Sequence, residues 1–218
     1  MYRRKARTGG SSCEPPISSM ELGKLFRQTD ESFHGKPYLK ADPDRVLMWR
    51  ALFATKQKPV IGIAWSGGMP QTGSKFRRMT LDDLLPVFRS VDAHWVCLQY
   101  KDASAEIADF GKRHGVDLVQ YPHATLTNDY DDTAALVEAC DRVLCMQTAV
   151  AHLAGALGKQ CHVFLPKNSQ WRYGEEGTDT LWYSSLKVIR QTKRGEWKDA
   201  ISRAAVILGL QYESRKAA

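Results

Sequence analysis

Residues 142–165, RVLCMQTAVAHLAGALGKQCHVFL, read as strand, helix and strand with short links between them. RVLCM (142–146) is a short apolar run. TAVAHLAGAL (148–157) carries apolar residues at helical spacing and stops at Gly158, and HVFL (162–165) is a second apolar run. Neither run alternates apolar with polar residues, which is the pattern of strands covered on both faces. A helical link between two such strands makes them parallel neighbours, because a parallel crossover needs about a dozen residues.

The same alternation extends outward in both directions. Residues 60–65 (VIGIAW) form a strand that ends in Ser66-Gly67-Gly68. Thr80-Leu81-Asp82-Asp83 caps a helix to about residue 90, and 94–100 (HWVCLQY) is the next strand. A helix over 104–114 closes at Gly115, followed by a strand over 116–120 and, after a polar loop, a helix over 133–140. Beyond residue 165 come a strand over 186–190 and a closing helix over 196–208. The expected fold is therefore α/β and Rossmann-like: a doubly wound, mostly parallel sheet of about six strands with helices on both faces. No internal repeat is present.

Upstream, Asp42-Pro43 opens a further helix, with Asp42 as N-cap and Val46, Trp49, Leu52 and Phe53 on one face. Four segments are expected: a disordered basic tail over 1–20, a connector with the N-terminal helix over 21–58, one domain over 59–210, and a tail over 211–218.

Composition excludes several classes. In 218 residues no apolar run approaches the length that spans a bilayer, and no apolar segment follows the basic N-terminus as a secretory signal requires. A cytoplasmic protein is expected. Five cysteines without a CxxC pair read as buried thiols, and the six histidines show no metal-ligand spacing. No metal and no tightly held cofactor are expected. The net charge of +7 includes four cations within the first seven residues. The remaining body is mildly basic, which fits an anionic small molecule about as well as nucleic acid, so charge alone does not choose; the basic tail reads as a solvated segment, and nucleic acid is not the expected partner.

Ligands of doubly wound sheets bind at the carboxyl ends of the strands, near the point where strand order reverses. Three such ends carry candidate residues: Ser66, Gly67 and Gly68 with the following Lys75, Arg77 and Arg78; Gln99, Tyr100 and Lys101; and Gln147-Thr148 running into the helix. A helix start offers backbone N–H groups and partial positive charge. Thr148 is expected to cap one donor and Ala149 and Ala151 to let a phosphate approach the others; His152 can donate to a phosphate oxygen, although a lone histidine is more often a partly buried ring satisfied by backbone. Val150, Leu153, Ala154 and Leu157 form the packing face, and Gly155 permits close approach of helix and strand. A Thr-capped helix of small residues serves tight packing equally well, and a basic loop is as often mere surface; spacing alone does not choose. GxGxxG, GxxxxGK[ST] and GxSxG are all absent.

The segments IGIAWSGG, FRRMTLDDLLPVF, WVCLQY, YDDTAALVEACDRVLCMQTAVAHLAGALGK and WRYGEEGTDTLWYSSLKVIRQ together resemble the C-terminal, donor-binding half of glycosyltransferases of the two-domain GT-B architecture. They look most like the bacterial glycosyltransferase domains that follow tetratricopeptide repeats, and are distantly similar to heptosyltransferases and O-linked N-acetylglucosamine transferases. The resemblance runs over residues 39–197.

It implies a nucleotide-sugar site with Thr148, Ala149, Val150 and His152 on the diphosphate, and Ser66, Gly67, Gly68 and Arg77 facing the phosphates and sugar. Arg77 is the candidate catalytic residue, as leaving-group stabiliser without a metal. Gln99 lies near the nucleotide pocket, and Asp132 and Thr133 orient their loop. Gln147 stands where the family usually has Asp; an amide bonds a hydroxyl but carries no charge. The acceptor domain of the family has no counterpart in these residues, so an acceptor-domain partner or a homo-oligomer is expected. A non-catalytic remnant or interaction module is the alternative.

Overall fold

The computed structural model describes residues 22–67 and 77–216. Gly68, Lys75 and the expected tail over 1–20 lie outside the described residues. The chain divides into two compact units, Met1–Phe33 and His34–Ala218.

In the first unit, α1 (Leu22–Phe26) precedes a 3-10 turn, Asp30–Ser32, that the Ser32 hydroxyl closes on the Thr29 carbonyl. The guanidinium of Arg27 lies 5.6 Å from the Phe33 ring centroid. This helical turn falls where an extended connector was expected; Leu22, Leu25 and Phe26 have the three- and four-residue spacing of one helix face.

The larger unit holds the sheet. Its strands are β1 (Val60–Ala64), β2 (His94–Cys97), β3 (Leu118–Gln120), β4 (Arg142–Met146), β5 (Cys161–Leu165) and β6 (Leu186–Arg190). All pair in parallel, in the order β3-β2-β1-β4-β5-β6. The helices are α2 (Pro43–Ala54), α3 (Leu85–Ser90), α4 (Ser104–His114), α5 (Pro122–Thr125), α6 (Tyr130–Ala139), α7 (Ala149–Leu157) and α8 (Lys198–Lys216). One hydrophobic cluster joins α2, α6 and α7 to one sheet face, and a second joins α3, α4 and α8 to the other. The expected doubly wound sheet is thus present, and order reverses between β1 and β4, opening a crevice at their carboxyl ends.

Local signals explain most element ends. Asp42 accepts from the backbone N–H groups of Asp44 and Arg45 at 2.9 and 3.0 Å, with Pro43 at the first helical position. Thr80 and Asp83 bond reciprocally, side chain to backbone, ahead of α3. Gly115 and Gly158 end α4 and α7 with φ of 68° and 77°, the left-handed conformation that glycine adopts without strain.

Four expectations change. On α2, Val46, Trp49 and Phe53 are buried but Leu52 is exposed. The helix expected at 133 starts at Tyr130, because Asp129 caps it by accepting from the Asp131 N–H. Helix α8 continues past residue 210 to Lys216, into the expected tail; Tyr212 is buried in the second cluster and holds that turn down. Gly155 makes room for a side chain rather than a strand: a β-carbon there would lie 2.6 and 2.7 Å from Cδ2 and Cδ1 of Tyr183. No helix among the described residues is long and apolar enough to cross a membrane.

Candidate functional site

Strand β1 leaves the sheet through Trp65, Ser66 and Gly67, and β4 leaves through Gln147 and Thr148 into α7. These two exits flank the crevice, and they touch. A β-carbon on Gly67 would collide with Cγ2 of Thr148, so glycine is what lets the β1 loop rest on the helix start. Thr148 occupies the N-cap position with extended backbone, φ −130° and ψ −179°, yet its side chain makes no capping bond. The expected Thr148 cap is therefore absent. Packing of the methyl against Gly67 sets the rotamer, and Oγ1 is buried with no hydrogen-bond partner among the described residues. The Thr148 carbonyl accepts from the Ala151 N–H at 3.1 Å, but the side chain adds no acceptor for the first-turn N–H groups of α7. Ala149 is exposed there, whereas Val150 and Ala151 are buried.

The β1 exit is held from both sides. Gln99, buried after β2, donates from Nε2 to the Ser66 hydroxyl. Gln120 fixes the Gln99 segment by donating to the carbonyls of Gln99 and Lys101 at 3.0 and 2.9 Å. The returning end of the loop pairs Arg78 with Ser66 in an antiparallel bridge, and the Met79 N–H donates to the Trp65 carbonyl at 2.9 Å. Arg77 therefore stands at the base of the loop beside Ser66, half-buried. A cavity of about 250 Å3 opens here between the β1 and β2 ends, lined by Ser66, Gly67, Arg78, Gln99, Lys101 and Glu106. A larger cavity, about 540 Å3, lies at the amino edge near Pro59, Asp92 and Asp141, away from the end where such sheets bind ligands.

On the other side of the junction, His152 is engaged at both ring nitrogens. Arg172 donates from Nη1 toward Nε2 at 3.2 Å, so Nδ1 carries the proton and donates to the Tyr183 hydroxyl at 3.3 Å. Tyr183 in turn meets the Tyr38 hydroxyl at 3.3 Å. Burial, and then the Arg172 charge, lower the His152 pKa, which keeps the ring neutral. A direct bond from His152 to a phosphate requires one of these contacts to break. Gln147 is also employed: buried, it accepts from the Gln170 N–H at 3.4 Å. Asp132 and Thr133 hold neighbouring segments, Asp132 accepting from Arg45 at 2.7 Å and Thr133 donating to the Ala124 carbonyl at 2.6 Å.

The structure thus brings Ser66, Gly67, Arg77, Gln99, Gln147, Thr148, Ala149 and His152 to one edge of the sheet and turns Val150 into the core. Sequence reasoning missed Glu106, Gln120, Arg172 as the partner of His152, and Tyr183. Only Gln120 left a local signal, as a polar residue closing an apolar strand.

No family model matches the chain. Protein FlbA of Caulobacter vibrioides is 31% identical over 186 residues, 84% of this chain and 31% of its own length, so the chain spans under a third of that relative. A glycosyl transferase family 9 structure from Veillonella parvula superposes with a TM-score of 0.60 at 11% identity, covering 83% of this chain and 56% of its own. The E. coli ADP-heptose heptosyltransferase II superposes with a TM-score of 0.55 at 14% identity, covering 86% and 59%. The fold of this chain is glycosyltransferase-like.

Proposed function

We infer that this domain binds the diphosphate of a nucleotide-sugar donor where the β1 exit meets the start of α7, and forms the donor-binding part of a glycosyltransferase. The contact of Gly67 with Thr148 carries this reading: it sets the β1 exit, with Arg77 next to the residue that pairs with Ser66, against a helix start whose N–H groups and dipole favour an anion. The buried Thr148 hydroxyl adds a further polar group at the same place. A diphosphate leaving group needs positive charge as the sugar departs, and Arg77 with the helix start supplies it without a metal. The name of the E. coli neighbour specifies ADP-heptose, which makes a nucleoside diphosphate sugar the donor class to test first.

Transfer further needs a positioned acceptor and a base. These are assigned to a second domain, from a longer chain, a partner or another copy. A reading as a binding module without turnover is favoured by Gln147, a neutral side chain already occupied by the Gln170 N–H. Calorimetric titration of the 218-residue chain with ADP, UDP and GDP tests the donor site. Binding of at least one at millimolar or lower concentration is expected; none binding would overturn the reading. Donor hydrolysis or transfer by the chain alone would reject the module without turnover.

A further inference from the structure

Trp49, Trp65, Trp95 and Trp197 are buried, but Trp171 is 78% exposed. It opens the 3-10 turn Trp171–Tyr173 after β5. That turn is fixed on both sides of it. Gln170 bonds Gln147, immediately before Thr148, and Arg172 bonds His152 in α7. Tyr173 is buried and stacks on the His152 ring at 6.0 Å. The backbone is thus anchored beside the α7 start while the indole is largely in solvent and meets Trp182 edge-on, with centroids 6.2 Å apart at 70°.

Three features follow one another along the carboxyl edge in strand order: the cavity between β2 and β1, the Gly67–Thr148 junction between β1 and β4, and the Trp171 turn after β5, which Trp182 meets from the segment leading into β6. A diphosphate at the junction has a nucleoside on one side and a sugar on the other. The sugar must remain open to an acceptor, so the recessed cavity suits the nucleoside and the open corner suits the sugar. Indole faces take the apolar C–H side of a pyranose, and planar amide and guanidinium groups take its hydroxyls. Gln170 and Arg172 stand on either side of Trp171.

We propose that the Trp171–Trp182 corner is the sugar subsite of this domain, stacking the hexose ring of the donor; the assignment rests on the donor-site reading above. Titration of the wild-type chain, Trp171→Ala and Trp171→Phe with three pairs separates the two. The pairs are ADP and ADP-glucose, UDP and UDP-N-acetylglucosamine, and GDP and GDP-mannose. Trp171→Ala is expected to weaken the bound nucleotide sugar about three- to tenfold. The matching diphosphate stays within about twofold, and Trp171→Phe retains most of the affinity. Equal loss for both members of a pair, or no loss for the sugar nucleotide, overturns the sugar subsite while leaving the diphosphate site standing. A wild-type chain that binds none of the six overturns the donor site and the subsite with it. Thermal unfolding checks that the exposed substitution leaves the fold intact.

Discussion

Gly67, at the exit of β1, lies against Cγ2 of Thr148, at the start of α7, so closely that no β-carbon fits between them. The contact crosses the point where strand order reverses. It couples a loop and a helix start that are otherwise separate elements, so a change at either residue is felt by the other.

Gly67→Ala forces one of the two aside. Overpacking of this kind costs about 1–3 kcal/mol, and urea denaturation together with ADP and UDP titration should show loss of stability, of nucleotide affinity, or of both. Adding Thr148→Ser removes the obstructing methyl and should restore most of the loss. A double variant no better than the single one would show that the contact is not responsible.

Gly155→Ala places a methyl inside the ring of Tyr183. The ring must move, which strains the bond from His152 Nδ1 and the connector contact at Tyr38. A loss of about 1–3 kcal/mol is expected by denaturant titration. Tyr183→Leu in the same background should recover part of it.

Stability should fall on mild acidification. His94, His152 and His162 all have lowered pKa values, chiefly through burial, and His162 is pushed down to about 4 with Arg142 and Lys187 nearby. Above pH 6.5 these rings are neutral in both states and the full stability is present. As pH falls through 6.5 the unfolded chain takes up protons that the fold refuses, so stability declines until the folded values are reached. His162 alone contributes on the order of 3 kcal/mol to that decline by pH 4. The lowered carboxylates, such as Asp82 at about 2, add to the decline from about pH 4.5 downward, as the unfolded chain begins to protonate them. Urea midpoints measured from pH 7.5 to 4 should show the slope, and His162→Leu should flatten it.

Cys97, Cys140, Cys145 and Cys161 are free and buried, and burial pushes the thiols of Cys97 and Cys140 up to about 12. Few thiolates form at pH 8 and no reagent reaches them. These four residues should remain unlabelled by an aromatic disulfide reagent in native protein and react fully in guanidinium, as read by peptide mass spectrometry. Rapid native labelling at any of them would show that the structure opens locally there.

Strands β1, β2, β4 and β5 were legible because each is buried along its whole length and so reads as a near-continuous apolar run; 142–146 and 186–190 agree with β4 and β6 residue for residue. The start of α6 was not, since Asn128, Asp129 and the two acidic residues after Tyr130 read as a polar loop until Asp129 is seen capping the helix. Of the candidate site, the strand ends and the α7 start follow from pattern, because sheet topology alone assigns ligands to that edge.

What the sequence determined by itself was periodicity, caps and stops, and through them an α/β fold with Ser66, Gly67, Gln99, Gln147 and Thr148 at strand exits. Local spacing carries that information, since hydrophobic period and backbone preference act within a few residues. The tertiary structure alone decided what each side chain does there. Thr148 packs on Gly67 instead of capping, Gly155 yields space to Tyr183, and His152 is held neutral between Tyr183 and Arg172. Each of these partners is distant in sequence, and packing across the crevice, which no local propensity encodes, brings them into contact.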